Sequence, residues 1–134
     1  MNHASVVLAR AFPADAPGWD DPDGLRAGLW KDPSSLAILE AIAVAVAPLE
    51  GVVTGQRKGF TSWSRRVQFA AARPLKGGRA LLGLKLDPGV SPRLSPTLRK
   101  EGWSPQLPAF IEFDRPEQVD SAAAALIAQA AERG

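Results

Sequence analysis

The fold of this chain is decided by residues 60–87, which read FTSWSRRVQFAAARPLKGGRALLGLKLD. Two runs in which apolar and polar side chains alternate flank the sequence KGG at residues 76–78, a composition typical of a tight turn. Alternation with a period of two predicts strands that each bury one face. We therefore predict a β-hairpin, with residues 60–72 as its first strand and residues 79–87 as its second.

The side chains of this hairpin separate into two sets, which predicts the face that is buried. On the core-facing side we place Val67 and Phe69 of the first strand. Leu82, Leu84 and Leu86 form the matching set of the second strand. Because successive side chains of a strand point to opposite sides of a sheet, the residues between them are expected to face away from this core.

Upstream of the hairpin, apolar residues recur at helical spacing and predict a long helix. The repeating positions are Leu36, Leu39, Ile42, Ala43, Val46 and Leu49. Ser34 is a candidate N-cap, and Pro48 followed by Gly51 supplies a stop. We predict a helix over residues 34–48 with one buried face, followed by a short β-branched strand at residues 52–54.

A second helix is predicted near the end of the chain, after an alternating strand at residues 109–114 that reads AFIEFD. Asp114, Pro116 and Glu117 fit the start of this helix as N-cap, first-turn proline and capping-box acid. The helix is expected to continue from there to the last residues.

These elements predict the domain organisation. Residues 1–33 are punctuated by Pro, Asp and Gly, and we interpret them as an N-terminal arm that Trp30 pins to the body. Residues 34–134 are expected to form a single α+β domain. Its order of helix, strands and helix predicts one antiparallel β-sheet of about four or five strands, with two main helices packed on one face.

The composition excludes several kinds of chemistry. With 134 residues the chain has the length of one domain and can bury a sizeable core. It has no Cys and a single His, which excludes disulfides, thiolate metal sites, a cysteine nucleophile and a multi-histidine metal centre. Tyr is also absent, so no phenol is present for acid–base work. We therefore predict no catalytic residue set, no cofactor and no resident metal.

Hydropathy and the N-terminal sequence bear on location. The longest apolar run, residues 36–49, is interrupted by Glu40 and Pro48 and is too short to cross a membrane. The first residues lack the basic region followed by an apolar region that marks a signal peptide. Together with the lack of Cys, these features favour a cytoplasmic protein with no membrane partner.

The formal net charge of +2 hides an uneven distribution. Residues 1–50 hold three basic and seven acidic side chains, a net charge of −4. Residues 51–103 hold eleven basic and two acidic side chains, a net charge of +9. Residues 104–134 return to −3, with two basic and five acidic side chains. The predicted β region is therefore strongly basic and lies between two acidic ends.

Two interpretations of this basic region stay open. In the first, the helix-free face of the sheet is a basic, Trp-bearing surface that holds an anionic ligand, a nucleic acid or an acidic protein. The candidate binding residues are Arg57, Lys58, Trp63, Arg65, Arg66, Arg99 and Trp103. In the second, the charges only keep outward strand faces soluble and protect sheet edges from aggregation. The function favoured here is a non-enzymatic binding or adaptor module that uses the first arrangement.

Two further functions remain as alternatives. Carboxylates gather on the last strand and the start of the helix after it, a set suited to a hard cation: Glu112, Asp114, Glu117 and Asp120. One alternative is therefore a carboxylate-based metal carrier, with iron as cargo, or a small enzyme. The other is a structural module that dimerises through an edge strand, so the chain is expected to be a monomer or a homodimer.

From residue 36 onward the chain carries an ordered set of motifs: LAILEAI at 36–42, VTGQRKGF at 53–60, SRRVQFA at 64–70, LLGLKL at 81–86, SPRL at 91–94 and VD at 119–120. This order resembles the bacterial family designated domain of unknown function 5655, a distant relative of the YdhG-like (frataxin-like) group. The resemblance implies an α+β sandwich without an assigned activity, and some YdhG-like members carry an iron-chaperone label. Members of the family often have a His in the strand before the last helix. Residues 107–111 read LPAFI here, so no role of such a His is expected.

Overall fold

A computed structural model describes residues 24–97 and 107–134 of the chain. Three helices lie in these residues: α1 Leu25–Leu29, α2 Pro33–Val46 and α3 Ser121–Glu132. Six strands accompany them: β1 Val53–Gln56, β2 Thr61–Ser64, β3 Gln68–Leu75, β4 Arg79–Leu84, β5 Ser95–Pro96 and β6 Ala109–Phe113. Among the described helices, none is both long and apolar enough to cross a lipid bilayer.

The strands form one antiparallel sheet in the order β1-β2-β3-β4-β6-β5. The predicted α+β class with a single antiparallel sheet is therefore confirmed. The expected number of four or five strands is too low, for two reasons. The chain bends at residues 65–67 and divides the predicted strand 60–72 into β2 and β3, and the two-residue β5 adds to the edge.

A β-bulge in β3 shifts the pattern of buried side chains. Trp63 lies opposite Ala70 whereas Ser64 lies opposite Gln68, so β3 contains one extra residue, Phe69. Both Phe69 and Ala70 are consequently buried in the main core. The prediction for Phe69 is confirmed, but Val67 is only partly buried, because the alternation does not continue through the bulge.

The main core lies between the sheet and the two long helices, as predicted. From the sheet it contains Trp63, Phe69, Leu82, Leu84 and Phe113, among others. From the helices it contains residues such as Ile38, Leu39, Ile42, Leu126 and Ile127. Trp30 belongs to the same core and donates a hydrogen bond from Nε1 to Thr61 Oγ1 at 3.0 Å, so it anchors the segment that precedes α2.

The helix starts differ from the predicted ones. The N-cap of α2 is Asp32 rather than Ser34, and its carboxylate accepts a hydrogen bond from the Ser34 N–H. The helix predicted from Asp114 begins only at Ser121, after a single 3₁₀ turn at Pro116–Gln118. The backbone of Val119 leaves helical geometry, with φ −81° and ψ 67°, which separates that turn from α3. Asp120 then caps α3 by accepting from the Ala123 N–H.

The sheet face opposite the long helices carries a second, smaller apolar cluster. Its buried members are Ala71, Leu81 and Leu107, and partly buried Phe60, Leu75 and Phe110 pack against them. This face is therefore not the purely basic surface that the sequence had predicted: apolar residues occupy part of it. Charged residues also lie on it, since Arg73 of β3 and Glu112 of β6 are both opposite Leu81.

Candidate functional site

The structure separates the predicted binding residues into two groups at opposite ends of β2. Arg57 and Lys58 lie in the turn between β1 and β2, and both are exposed. Arg65 and Arg66 lie in the bend between β2 and β3. A four-residue strand spans roughly 13 Å, so the two groups do not form one patch.

Trp63 is not available to a ligand, which corrects the prediction of a Trp-bearing exposed face. Its side chain is 0% exposed, and it lies opposite Thr54 of β1 and Ala70 of β3 on the helix-covered side of the sheet. The indole Nε1 is buried and has no hydrogen-bond partner in the described part of the chain. Arg99 and Trp103, the other two predicted binding residues, lie outside the described residues.

Arg65 acts as an internal clamp. Its Nε donates to the carbonyl oxygen of Glu50 at 2.9 Å, and its Nη1 donates to the carbonyl oxygen of Ala131 at 3.2 Å. Ala131 lies in the last turn of α3, where carbonyl groups carry partial negative charge, and its oxygen also accepts from the Gly134 N–H at 3.1 Å. Arg65 therefore joins the α2–β1 loop to the end of α3, and its guanidinium is occupied by backbone groups.

This arrangement predicts different outcomes for two adjacent arginines. We expect Arg65→Ala to lower the free energy of unfolding by about 1–3 kcal/mol, because two carbonyl groups lose a charged donor. Arg66→Ala should change stability by less than about 0.5 kcal/mol, since Arg66 is exposed. Urea unfolding followed by circular dichroism measures both values. Equal effects of the two substitutions would contradict the clamp.

Two other cations are neutralised by the acidic C-terminal segment. Arg79 forms an ion pair with Glu112 of β6. Arg93 pairs with Asp120 at 2.8 Å and also donates to the carbonyl oxygen of Gln118 at 2.9 Å. The hydrogen bond from the Ala123 N–H, aided by Arg93, lowers the pKa of Asp120 below its ordinary value. Acidic residues distant in sequence thus neutralise part of the +9 net charge of residues 51–103.

These ion pairs also bear on the alternative of a carboxylate metal site. Glu112 and Asp120, two of its four candidate ligands, are each bound to an arginine. Across residues 24–97 and 107–134, no group of three or more acidic or histidine side chains is placed to hold a metal ion. The described geometry therefore gives the metal-carrier alternative no support.

Three exposed cations lie at one end of the strands, in the turns that connect them: Arg57 and Lys58 in the β1–β2 turn and Lys76 in the β3–β4 turn. We call them the basic edge. Alternate turns of an antiparallel sheet lie on the same side, and the two turns are two strand spacings apart, about 10 Å. None of the three cations takes part in an ion pair within the described part of the chain.

Two acidic groups, Asp32 and Glu112, lie near this end of the sheet, and neither forms an ion pair with a cation of the basic edge. Asp32, which lies beside the β3–β4 turn, accepts the Ser34 N–H as the cap of α2. Glu112 is paired with Arg79. Lys76 was not among the residues predicted from sequence as binding residues. Lys76 could have been found from the predicted topology. In an antiparallel sheet the turn KGG and the turn of residues 57–60 lie at the same end of the strands.

A cavity of about 390 Å³ lies at the end of α2, lined by residues 46–52. Glu50 is the single ionisable side chain of its lining, and the remaining lining side chains are apolar or absent. General acid–base chemistry ordinarily needs groups that converge on a reacting atom. The cavity therefore lacks the paired groups of an active site, and the basic edge is the better candidate for function. Comparison of the chain with protein-family models, with curated proteins and with solved structures finds no match.

Proposed function

We propose that the protein is a non-enzymatic binding module that holds the phosphate backbone of a nucleic acid at the basic edge. The observation that carries this proposal is the position of Arg57, Lys58 and Lys76, which are exposed on two neighbouring turns without ion pairs in the described residues. Arg65, Arg79 and Arg93, in contrast, are engaged within the fold. Cations held free of internal partners attract phosphate and release its counterions on binding.

A nucleic acid backbone suits this edge better than an acidic protein does. Protein interfaces are usually centred on a buried aromatic or aliphatic anchor surrounded by polar contacts. The large apolar side chains exposed in the described residues are Val44, at 59%, and Val90, at 47%. Neither belongs to the two turns. Phe60 and Leu75, the large apolar residues at these turns, are partly buried in the smaller apolar cluster, so the edge offers charge without a fully exposed apolar anchor. Trp63 is buried and Phe60 is partly covered, which favours contact with phosphates over stacking on bases.

The resemblance to the domain of unknown function 5655 family remains part of this proposal. It is compatible with a small binding domain and assigns no reaction, and function belongs to sites rather than to folds.

The proposal predicts how salt affects binding. We expect the full chain to bind a single-stranded oligonucleotide at low salt, with an affinity that falls as salt increases. The double substitution Arg57→Ala with Lys58→Ala should weaken binding. It should also reduce the slope of log K against log salt concentration by about 0.7 for each phosphate contact that is lost. Fluorescence anisotropy over a salt series measures the affinity and the slope together.

Arg66→Ala supplies the matched control, because Arg66 is also an exposed arginine but lies at the opposite end of β2. Its affinity and salt slope should equal those of the wild type. Absence of wild-type binding at low salt would overturn the proposal. If an acidic peptide such as polyglutamate competes as well as the oligonucleotide does, the ligand is an acidic protein and the nucleic acid assignment is wrong.

A further inference from the structure

A chain of buried polar groups lies beneath the turn that carries Arg57 and Lys58. Gln56 is 1% exposed, and its Nε2 donates to the carbonyl oxygens of Arg57, at 2.8 Å, and Phe60, at 3.1 Å. Its Oε1 accepts from Thr61 Oγ1 at 2.5 Å. Thr61 in turn accepts from Trp30 Nε1 at 3.0 Å. All polar atoms of the Gln56 amide are directed to the turn or to the residue that follows it.

The position of Gln56 is unusual for a polar side chain. It lies on the helix-covered face of the sheet, where most buried side chains are apolar, and is paired with buried Thr61 across β1 and β2. Burying an amide is unfavourable unless its donors and acceptor are satisfied. An apolar residue of similar volume would fill the same space without that requirement. Packing alone therefore does not explain an amide at this position, and its hydrogen bonds must be considered.

Its effect is to hold the turn from inside. The turn is closed by the hydrogen bond from the Arg57 N–H to the Phe60 carbonyl oxygen at 2.9 Å. Gln56 adds a donor to that same oxygen and a second donor to the Arg57 carbonyl oxygen. Both ends of the turn are thereby fixed to a side chain that is itself fixed through Thr61 and Trp30. A loop ordered before binding loses less conformational entropy when a ligand arrives.

We infer that Gln56 is the positioning residue of the basic edge: it orders the turn that presents Arg57 and Lys58 to the phosphate backbone. This inference rests on the proposed function, because it assigns a role within the same site. Gln56 itself does not touch the ligand. Thr61 and Trp30 support it by holding the amide in the orientation that serves the turn.

The test is Gln56→Leu in the full chain, which removes both donors and keeps a side chain of similar size. We expect faster hydrogen exchange at the Arg57 amide and an affinity for the oligonucleotide about fivefold to tenfold lower, since ordering of the turn is lost. The salt slope should stay at the wild-type value, because the same cations contact the same phosphates. A residue that only supports overall stability would not give this combination.

Ile127→Val is the control, because it loses packing in α3 without touching the turn. All variants are compared at a temperature where each is folded. If Gln56→Leu and Ile127→Val show the same hydrogen exchange at Arg57 and the same affinity, the positioning role is overturned. The proposed function then still stands, provided that the wild type binds. Failure of the wild type itself to bind overturns the proposed function. If Gln56→Leu does not fold, Thr61→Val compared with Thr61→Ser measures the same coupling, and equal affinity of these two variants overturns it.

Discussion

Trp63→Ala is expected to lower the free energy of unfolding by about 3–5 kcal/mol, the range found when a large aromatic side chain is removed from a core. The indole is 0% exposed and belongs to the cluster that joins the sheet to both long helices. Removing it leaves a cavity that neighbours on two elements fill only partly. Urea unfolding monitored by far-UV circular dichroism measures the loss. A change of less than about 1 kcal/mol would contradict the burial of Trp63.

Trp63→Phe separates this structural role from the ligand stacking that the sequence had suggested. Phenylalanine keeps a ring in the core and removes an N–H that has no partner among the described residues, so it should cost much less than alanine. The folded variant should bind an oligonucleotide with wild-type affinity and salt slope. Loss of binding without loss of folding would instead show that Trp63 takes part in the site.

The hairpin could be predicted because alternation of apolar and polar side chains indicates a strand that buries one of its two faces. Leu82, Leu84 and Leu86 are all buried in the main core, as predicted. Alternation also gives Trp63 the same parity as Val67 and Phe69, which is the core-facing side, and Trp63 is buried there. The prediction that Trp63 is an exposed binding residue came instead from its place among serines and arginines, and it is this prediction that is wrong. The bulge at Phe69 is invisible in the sequence, since an extra residue appears only in the pairing of two strands.

The sequence gives the net charge of each segment, but which charged side chains are free to bind a ligand depends on tertiary contacts. Arg79 and Glu112 are separated by 33 positions, and Arg93 and Asp120 by 27, so no local pattern pairs them. Arg65 is satisfied by backbone carbonyl groups, which any residue type supplies. Because Arg65, Arg79 and Arg93 are engaged within the fold, the cations of the basic edge are distinguished only by the tertiary structure. Lys76 joins it because strand order brings its turn beside that of Arg57 and Lys58.

Gly78→Ala should have the second large effect, because this glycine meets two restrictions at once. Its φ is +76°, a conformation that costs an L-residue with a side chain roughly 1–2 kcal/mol. A Cβ at this position would also lie 2.7 Å from the Cβ of Ser34 at the start of α2. Carbon atoms prefer a separation of about 3.5–4.0 Å, so the turn or the helix must move. We expect a total loss of about 2–5 kcal/mol in the free energy of unfolding.

Gly77→Ala is the matched control, because Gly77 has a similar φ of +80° but nothing within 4 Å of the added carbon. It should lose only the conformational part, about 1–2 kcal/mol. Adding Ser34→Gly to Gly78→Ala should recover the part due to the contact, and a double-mutant cycle measures that coupling. If Gly77→Ala and Gly78→Ala are equally destabilising, the close approach does not matter. A large difference instead shows that the turn carrying Lys76 is held against α2, so that both turns of the basic edge are fixed by the fold behind them.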